Sequence, residues 1–156
     1  MIDKFSVDTN VLIYLVQPEQ QVKYKKAKEI YHFLAHQRTL LSLQVLNEFY
    51  YVVTRKKILA PKDATMLIAE WMNIFEIVTP NAQTLLQGIE LQSEQSLSFW
   101  DALLVAVAQQ NQVRYFFSED GQHNQKISKL HIINPFLIED FEIFFGENIN
   151  YKEIMT

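Results

Sequence analysis

The chain contains no cysteine, which excludes disulfides, thiolate metal sites and cysteine nucleophiles together and fits a reducing compartment. Three glycines and four prolines are all that punctuate 156 residues, so regular elements joined by short loops should dominate. No apolar run approaches the roughly 20 residues needed to cross a bilayer; the longest, Ala102–Ala108, is far shorter. The opening Met1-Ile2-Asp3-Lys4 lacks the basic-then-apolar shape of a signal peptide, and a soluble cytoplasmic chain is expected. Positive charge is not in excess either. A net charge of −4 argues against a protein that coats nucleic acid by bulk electrostatics.

What is present points to one globular domain. The length suits a single core, and 49% hydrophobic with 21% charged residues is an ordinary globular balance. Charge is unevenly spread. Residues 139–156 hold five acids (Glu139, Asp140, Glu142, Glu147, Glu153) against Lys152, which leaves 13 acids and 13 bases in the first 138 residues. Cations bound to several of those 13 acids would leave a basic body. The expected organisation is a domain over residues 1–138 with an acidic extension of the same domain over 139–156.

Hydrophobic spacing alternates between strand and helix. Lys4–Asp8 reads as a strand that reaches the polar turn Asp8-Thr9-Asn10. Val22–Gln37 has helical spacing, with Ala27, Ile30, Tyr31 and Leu34 on one stripe and Lys23, Lys25, Lys26 and Lys28 largely outside it. Thr39–Ser42 is a second strand, and Ser42 is placed to cap a helix from Leu43 to about Arg55. Pro61 suits the first turn of a helix to about Asn73, followed by a strand at Phe75–Val78 and a helix near Asn81–Gln92 with Gly88 as a weak point. Ser98–Gln110 is apolar on almost every side, the mark of a buried helix. Strands at Tyr115–Phe117 and His131–Ile133 complete the pattern. Short strands alternating with helices predict an α/β fold with a mainly parallel, roughly five-stranded sheet.

Four acids stand out against that pattern. Ligands of open parallel sheets bind beyond the carboxyl ends of the strands; Asp8 directly follows the first strand and Asp120 follows the fourth within three residues. Asp101 lies in the first turn of the buried helix, and Glu48 interrupts the apolar stretch Val45–Val53. Glu48 and Asp101 are therefore expected on core-facing elements, where an unpaired carboxylate costs several kcal/mol or more. No neighbouring lysine or arginine is an obvious partner, so cations are the expected answer, and oxygen-only ligands suit Mg2+ or Mn2+. Each acid also has a plainer reading. Ser98 and Asp101 are spaced as a capping-box variant, Asp8-Thr9-Asn10 as an Asx turn and Asp120-Gly121 as a turn pair, and Glu48 suits the solvated edge of its helix.

The blocks Val7-Asp8-Thr9-Asn10-Val11-Leu12-Ile13-Tyr14, Asn47-Glu48-Phe49, Ser98-Phe99-Trp100-Asp101 through Ala108, Phe117-Ser118-Glu119-Asp120 and Ile133-Asn134-Pro135-Phe136 together resemble a PIN domain, most closely the VapC toxins of bacterial and archaeal toxin–antitoxin pairs. The resemblance runs from about Lys4 to Phe136. It implies a three-layer α/β/α sandwich and Mg2+- or Mn2+-dependent endoribonuclease activity, by in-line attack of metal-activated water on an RNA phosphate. Asp8, Glu48, Asp101 and Asp120 match the family's metal-binding, catalytic acids, with Asp8 and Asp101 most directly tied to the metal. Thr9, Asn10 and Ser118 match its supporting polar positions. The family also implies a cognate antitoxin and commonly a homodimer. Gly121 departs from the pattern, since many relatives carry their glycine a few residues later.

Cations for RNA are sought at Arg55, Lys56 and Lys57, which equally suit a helix C-terminus; Lys23–Lys28 reads as a solvated face. Tyr50, Tyr51 and Trp100 flank the acids, in a pattern that is more often core than a base-stacking surface. His123 and His131 read as structural. Trp71, Phe75, Phe141, Phe144 and Phe145 fit an apolar interface or the core equally. The competing class is a non-catalytic RNA- or protein-binding module on the same fold, for which clustered acids have no use. A phosphatase of the haloacid-dehalogenase type would need an aspartate where Asn10 stands, and the paired acids of a receiver domain do not appear.

Overall fold

The computed structural model describes residues 2–121 and 123–146. In chain order the elements are Lys4–Val7 (β1), Thr9–Tyr14 (α1), Gln21–Ala35 (α2), Arg38–Ser42 (β2), Leu43–Arg55 (α3), Pro61–Ile74 (α4) and Glu76–Val78 (β3). Then follow Ala82–Gln95 (α5), Phe99–Gln110 (α6), Val113–Phe117 (β4), Gln125–Ile127 (β5), Leu130–Ile133 (β6), a 3-10 turn at Pro135–Leu137 and Phe141–Gly146 (α7). The strands form one six-stranded sheet in the order β3-β2-β1-β4-β6-β5. Every pairing is parallel except the terminal β5–β6 hairpin, so the expected mainly parallel α/β sheet flanked by helices is what forms.

Alternation along the strands sorts the core into two faces. On one, Phe5, Phe117 and Tyr115 meet Phe33 of α2 and Phe145 of α7, with Phe5–Phe117 ring centroids 5.6 Å apart and Phe5–Phe145 5.3 Å. On the other, Phe116 and Ile132 lie with Leu104 and Val105 of α6. α6 is the buried helix its composition predicts, with every residue from Ala102 to Ala108 buried. Gly88 is not a weak point. A Cβ there would stand 3.3 Å from the Leu103 Cα, so its bare backbone is what lets α5 close on α6. Ser42 caps α3, accepting from the Gln44 N–H at 3.3 Å, and α3 buries Val45, Leu46, Phe49 and Val53.

Two elements escape the hydrophobic pattern. The six residues of α1 look like more strand, but the Asp8 cap turns them into a helix whose Val11 and Leu12 enter the core. β5 is polar and three residues long, and it is held by pairing with β6 through a turn at Ser128, whose φ is 55°.

The aromatic residues that fit an interface or the core equally well are core. Trp71 packs on Phe49 with centroids 4.7 Å apart, and Trp71, Phe75, Phe141 and Phe145 are all buried, with Phe144 partly so. Of the acidic C-terminal segment, Glu139, Asp140 and Glu142 are exposed, while Glu147, Lys152 and Glu153 lie outside the described residues. Among the described residues no helix is long and apolar enough to cross a membrane.

Phe145 is fully buried and touches rings from β1, α2 and β4. Phe145→Ala should therefore cost about 3–5 kcal/mol, read as a lowered urea midpoint at unchanged m. A loss below about 1 kcal/mol would mean that α7 does not close the core.

Candidate active site

β1 and β4 lie side by side at the centre of the sheet. The chain leaves β1 toward β2 and β3 on one side, then returns through β4 to β6 on the other. Their shared carboxyl end is thus a topological switch point, where such sheets bind ligands. The ladder runs one residue past β1, as the Asp8 N–H donates to the Phe117 carbonyl at 2.8 Å. That bond points Asp8 into two adjoining clefts of about 310 and 440 Å3. Asp8, Asp101 and Asp120 line both, and Glu48 lines the larger. Four acids from β1, α3, α6 and the loop after β4 therefore meet at one end of the sheet.

Three of the four are held by the expected polar neighbours. The Ser118 hydroxyl donates to Asp8 Oδ2 at 3.2 Å, the Thr9 hydroxyl to Glu48 Oε2 at 3.0 Å, and the Asn10 amide to Asp120 Oδ2 at 2.7 Å. Asp8 Oδ1 accepts from the Thr9 N–H at 2.7 Å as the cap of α1. Of the expected capping box the Ser98 half forms, and it engages only the Asp101 backbone: the Asp101 N–H donates to Ser98 Oγ at 3.1 Å. The carboxylate remains at the cleft, in the first turn of α6, where the helix dipole favours it.

Burial divides the acids differently from the expectation. Glu48 and Asp101 are exposed, not core-facing. α3 buries the opposite stripe, and α6 is covered only from Ala102 onward, so its first turn protrudes. Only Asp8 bears the cost of burial. Its carboxyl is pushed up to about 6, chiefly by loss of water and further by the charges of Asp101 and Glu48, against the Thr9 N–H and Ser118 hydroxyl that favour ionisation. Among the described residues none of the four acids has a lysine or arginine partner. An all-oxygen, uncompensated donor set of this kind suits Mg2+ or Mn2+. As the side chains lie, no group of three acids or histidines among the described residues is arranged to hold an ion.

The other candidates fall outside the clefts. Arg55 ends α3, donating to the Tyr51 hydroxyl with its guanidinium 5.5 Å from that ring. Lys56 and Lys57 are exposed just beyond. His123 and His131 are structural, His123 Nδ1 accepting from the Asn134 N–H at 3.0 Å and His131 Nε2 lying 3.0 Å from Asn124 Oδ1. Lys23 is not merely solvated. It pairs with Glu119, lies 4.3 Å from the Phe136 ring centroid, and shares Glu119 with the Tyr14 hydroxyl at 2.9 Å. Burial and this carboxylate push Tyr14 up to about 12. Tyr14, Lys23 and Glu119 thus tie the loop carrying Asp120 to α1 and α2. Glu119 stands beside Asp120 in sequence, but nothing local announces partners more than 90 positions away. Gly121 has a steric reason for its early place, since a Cβ there would meet Ile132 Cγ2 at 2.7 Å while its N–H donates to Ser118 Oγ.

The family model for the PIN domain matches residues 6–127. Curated protein sequences give no match. Solved structures do. A sarcin-ricin loop cleaving VapC toxin of Mycobacterium tuberculosis superposes with a TM-score of 0.61 at 21% identity, covering 76% of this chain and 91% of that one. A toxin–antitoxin complex from Klebsiella pneumoniae gives 0.64 at 18% identity, covering 85% and 98%. VapBC2 from Rickettsia felis, bound to a promoter DNA fragment, gives 0.62 at 18%, covering 83% and 96%. These likenesses establish the shared fold.

The raised Asp8 value makes a prediction about stability. The folded state holds the Asp8 proton more tightly than the unfolded chain, whose ordinary value is 3.8. Its contribution is therefore fully present below that value and is lost as pH rises through about 6. In metal-free buffer Asp8→Asn should stabilise the protein by on the order of 2–3 kcal/mol near neutral pH and by little near pH 4. Equal unfolding midpoints for the two proteins across that range would refute the burial of a charged Asp8.

Proposed function

The chain belongs to the PIN domain family, and from that premise we propose that it is a Mg2+- or Mn2+-dependent endoribonuclease, the toxin of a toxin–antitoxin pair. One observation carries the proposal: four carboxylates without basic partners among the described residues surround one cleft at the switch point of the sheet. Binding RNA alone would be opposed by that charge, because phosphates and carboxylates repel. A divalent ion would offset part of that charge, give the phosphate a cation to meet and, when bound, supply an acidified water and stabilisation of the leaving oxygen. Asp8 and Asp101 would hold it, with Glu48 and Asp120 completing its shell directly or through water.

The chain's own work is then orientation. Ser118 and the Thr9 N–H fix both oxygens of Asp8, the Thr9 hydroxyl steers Glu48, and Asn10 steers Asp120. Such outer hydrogen bonds set where ligand oxygens point. Arg55 ends the helix that carries Glu48, about 10 Å along its axis, where a strand leaving the cleft would pass; Lys56 and Lys57 extend that cationic rim. The fold neighbour that cleaves the sarcin-ricin loop supports RNA as the polymer. Neighbours solved as toxin–antitoxin assemblies support a cognate antitoxin that holds the enzyme inactive. Leu85, Leu86 and Ile89, exposed together on α5, leave an apolar face for a homodimer. We place the protein in the cytoplasm and regard residues 139–156 as an extension of the 1–138 domain, its start supported by the packing of α7.

The test is cleavage of a pool of structured RNAs with Mg2+, with Mn2+ and with a chelator. Cuts at discrete positions should need the ion and should vanish in Asp8→Asn and Asp101→Asn, while Ser118→Ala loses about 10- to 100-fold. Both near-isosteric variants should melt as cooperatively as the parent. Calorimetry with Mn2+ decides the competing reading, since RNA binding without cleavage and without heat from the metal would make the chain a binding module.

A further inference from the structure

We infer that Trp100, Tyr51, Gln44 and Asn47 form a subsite for one unpaired nucleobase, beside the acids and between α3 and α6. The inference rests on the ribonuclease reading and names what its cleft grips. It begins with an anomaly of exposure. The chain has two tryptophans. Trp71 is 1% exposed against Phe49, whereas Trp100 is 64% exposed although it directly precedes Asp101 and the buried run Ala102–Ala108. Its one ring partner among the described residues is its neighbour Phe99, at 5.1 Å. Across the larger cleft, Tyr51 is 57% exposed. Two large rings exposed beside one cleft offer faces on which a flat ligand can stack.

Besides the four acids and the two rings, the polar residues lining this cleft are all amides, Asn10, Gln44 and Asn47. Gln44 Nε2 donates to the Trp100 carbonyl at 3.4 Å, linking α3 to α6, while Gln44 Oε1 is buried with no donor. Asn47, three residues further along α3, is exposed on the same cleft. No lysine or arginine lines this space. A phosphate subsite would show cations. Aromatic faces with neutral amides instead suit a flat ring that stacks on its faces and offers N–H and C=O groups at its edge. The volume of about 440 Å3 is ample for a base and its sugar, provided the base is outside a duplex. The Asp8–Asp101 side then takes the phosphate and the Trp100–Tyr51 side the adjoining base. Arg55, held on Tyr51, stands beyond it for the next phosphate.

Trp100 is its own reporter. In Asp8→Asn, which should not cleave, titration with an unpaired oligoribonucleotide should quench the exposed tryptophan, and an abasic oligomer of equal length and charge should not. In the otherwise unaltered enzyme, Trp100→Ala should lower kcat/KM by about 5- to 150-fold, Trp100→Phe should restore most of it, and Gln44→Leu should change which base flanks the cut. Quenching by the abasic oligomer to the same extent would make Trp100 a phosphate reporter and overturn the inference. Unchanged cleavage by Trp100→Ala would overturn it while leaving the ribonuclease intact. If the parent neither cuts nor binds RNA, both readings fall. Tryptophan quenching by basic peptides but not by RNA would assign the surface to a protein partner instead.

Discussion

The parallel pairing of β1 with β4 is the constraint on which the rest of the molecule depends. These two short strands join chain segments more than 100 positions apart, and stacked rings on one face together with α6 on the other keep them in register. Because the ladder continues to Asp8, the same hydrogen bonds that seat Phe5 and Phe117 in the core also aim a carboxylate and the Ser118 hydroxyl at each other. Core and site are not separate structures here. A slip of one residue would turn Phe5 and Phe117 out of the core and carry Asp8 away from Ser118.

What that register assembles is electrostatically unfavourable. Asp8 loses water and meets the charges of Asp101 and Glu48 without a counter-cation among the described residues. Elsewhere three acids do have a cation: Glu119 takes Lys23 together with the Tyr14 hydroxyl, Glu29 takes Lys26, and Asp3 takes Arg114. The contrast is local and chemical. Neutral donors hold Asp8, Glu48 and Asp120 where those three acids have cations, so charge at the cleft is oriented but left uncompensated. Proteins break local rules of this kind where function requires it.

Much of the fold was legible because its signals are local. The Ser42 cap, the Leu43–Arg55 helix, the buried helix at Ala102–Ala108 and the parallel strands followed from cap residues and hydrophobic period, and they formed nearly as expected. α1 was hidden because six residues carry too little period and its start depends on one Asp8 cap. β5 was hidden because its partner strand, not its own polar sequence, makes it a strand. Gly88 looked like a defect because the helix that approaches it is not visible in its own segment.

The four acids were readable from their position and context along the chain, as was the oxygen-only character of the set, while Thr9, Asn10 and Ser118 followed from the resemblance to PIN domains. The burial of the acids was not readable. Val45–Val53 is apolar on so many sides that no stripe marks which face sinks, and packing against the sheet decided that Glu48 and Tyr51 stay outside while Phe49 goes in. In the same way the end of the cover over α6 decided that Trp100 and Asp101 protrude. Sequence alone determined most of the elements, their alternation and the chemistry carried at each position, because these depend on neighbours a few residues away. Tertiary structure alone decided that the acids share one cleft, that of the four only Asp8 is partly buried, that Glu119 is tied to Lys23 and Tyr14, and that two aromatic rings stand open beside the acids. Burial and pairing depend on which distant segment arrives at a given place, and the chain records that only once it is folded.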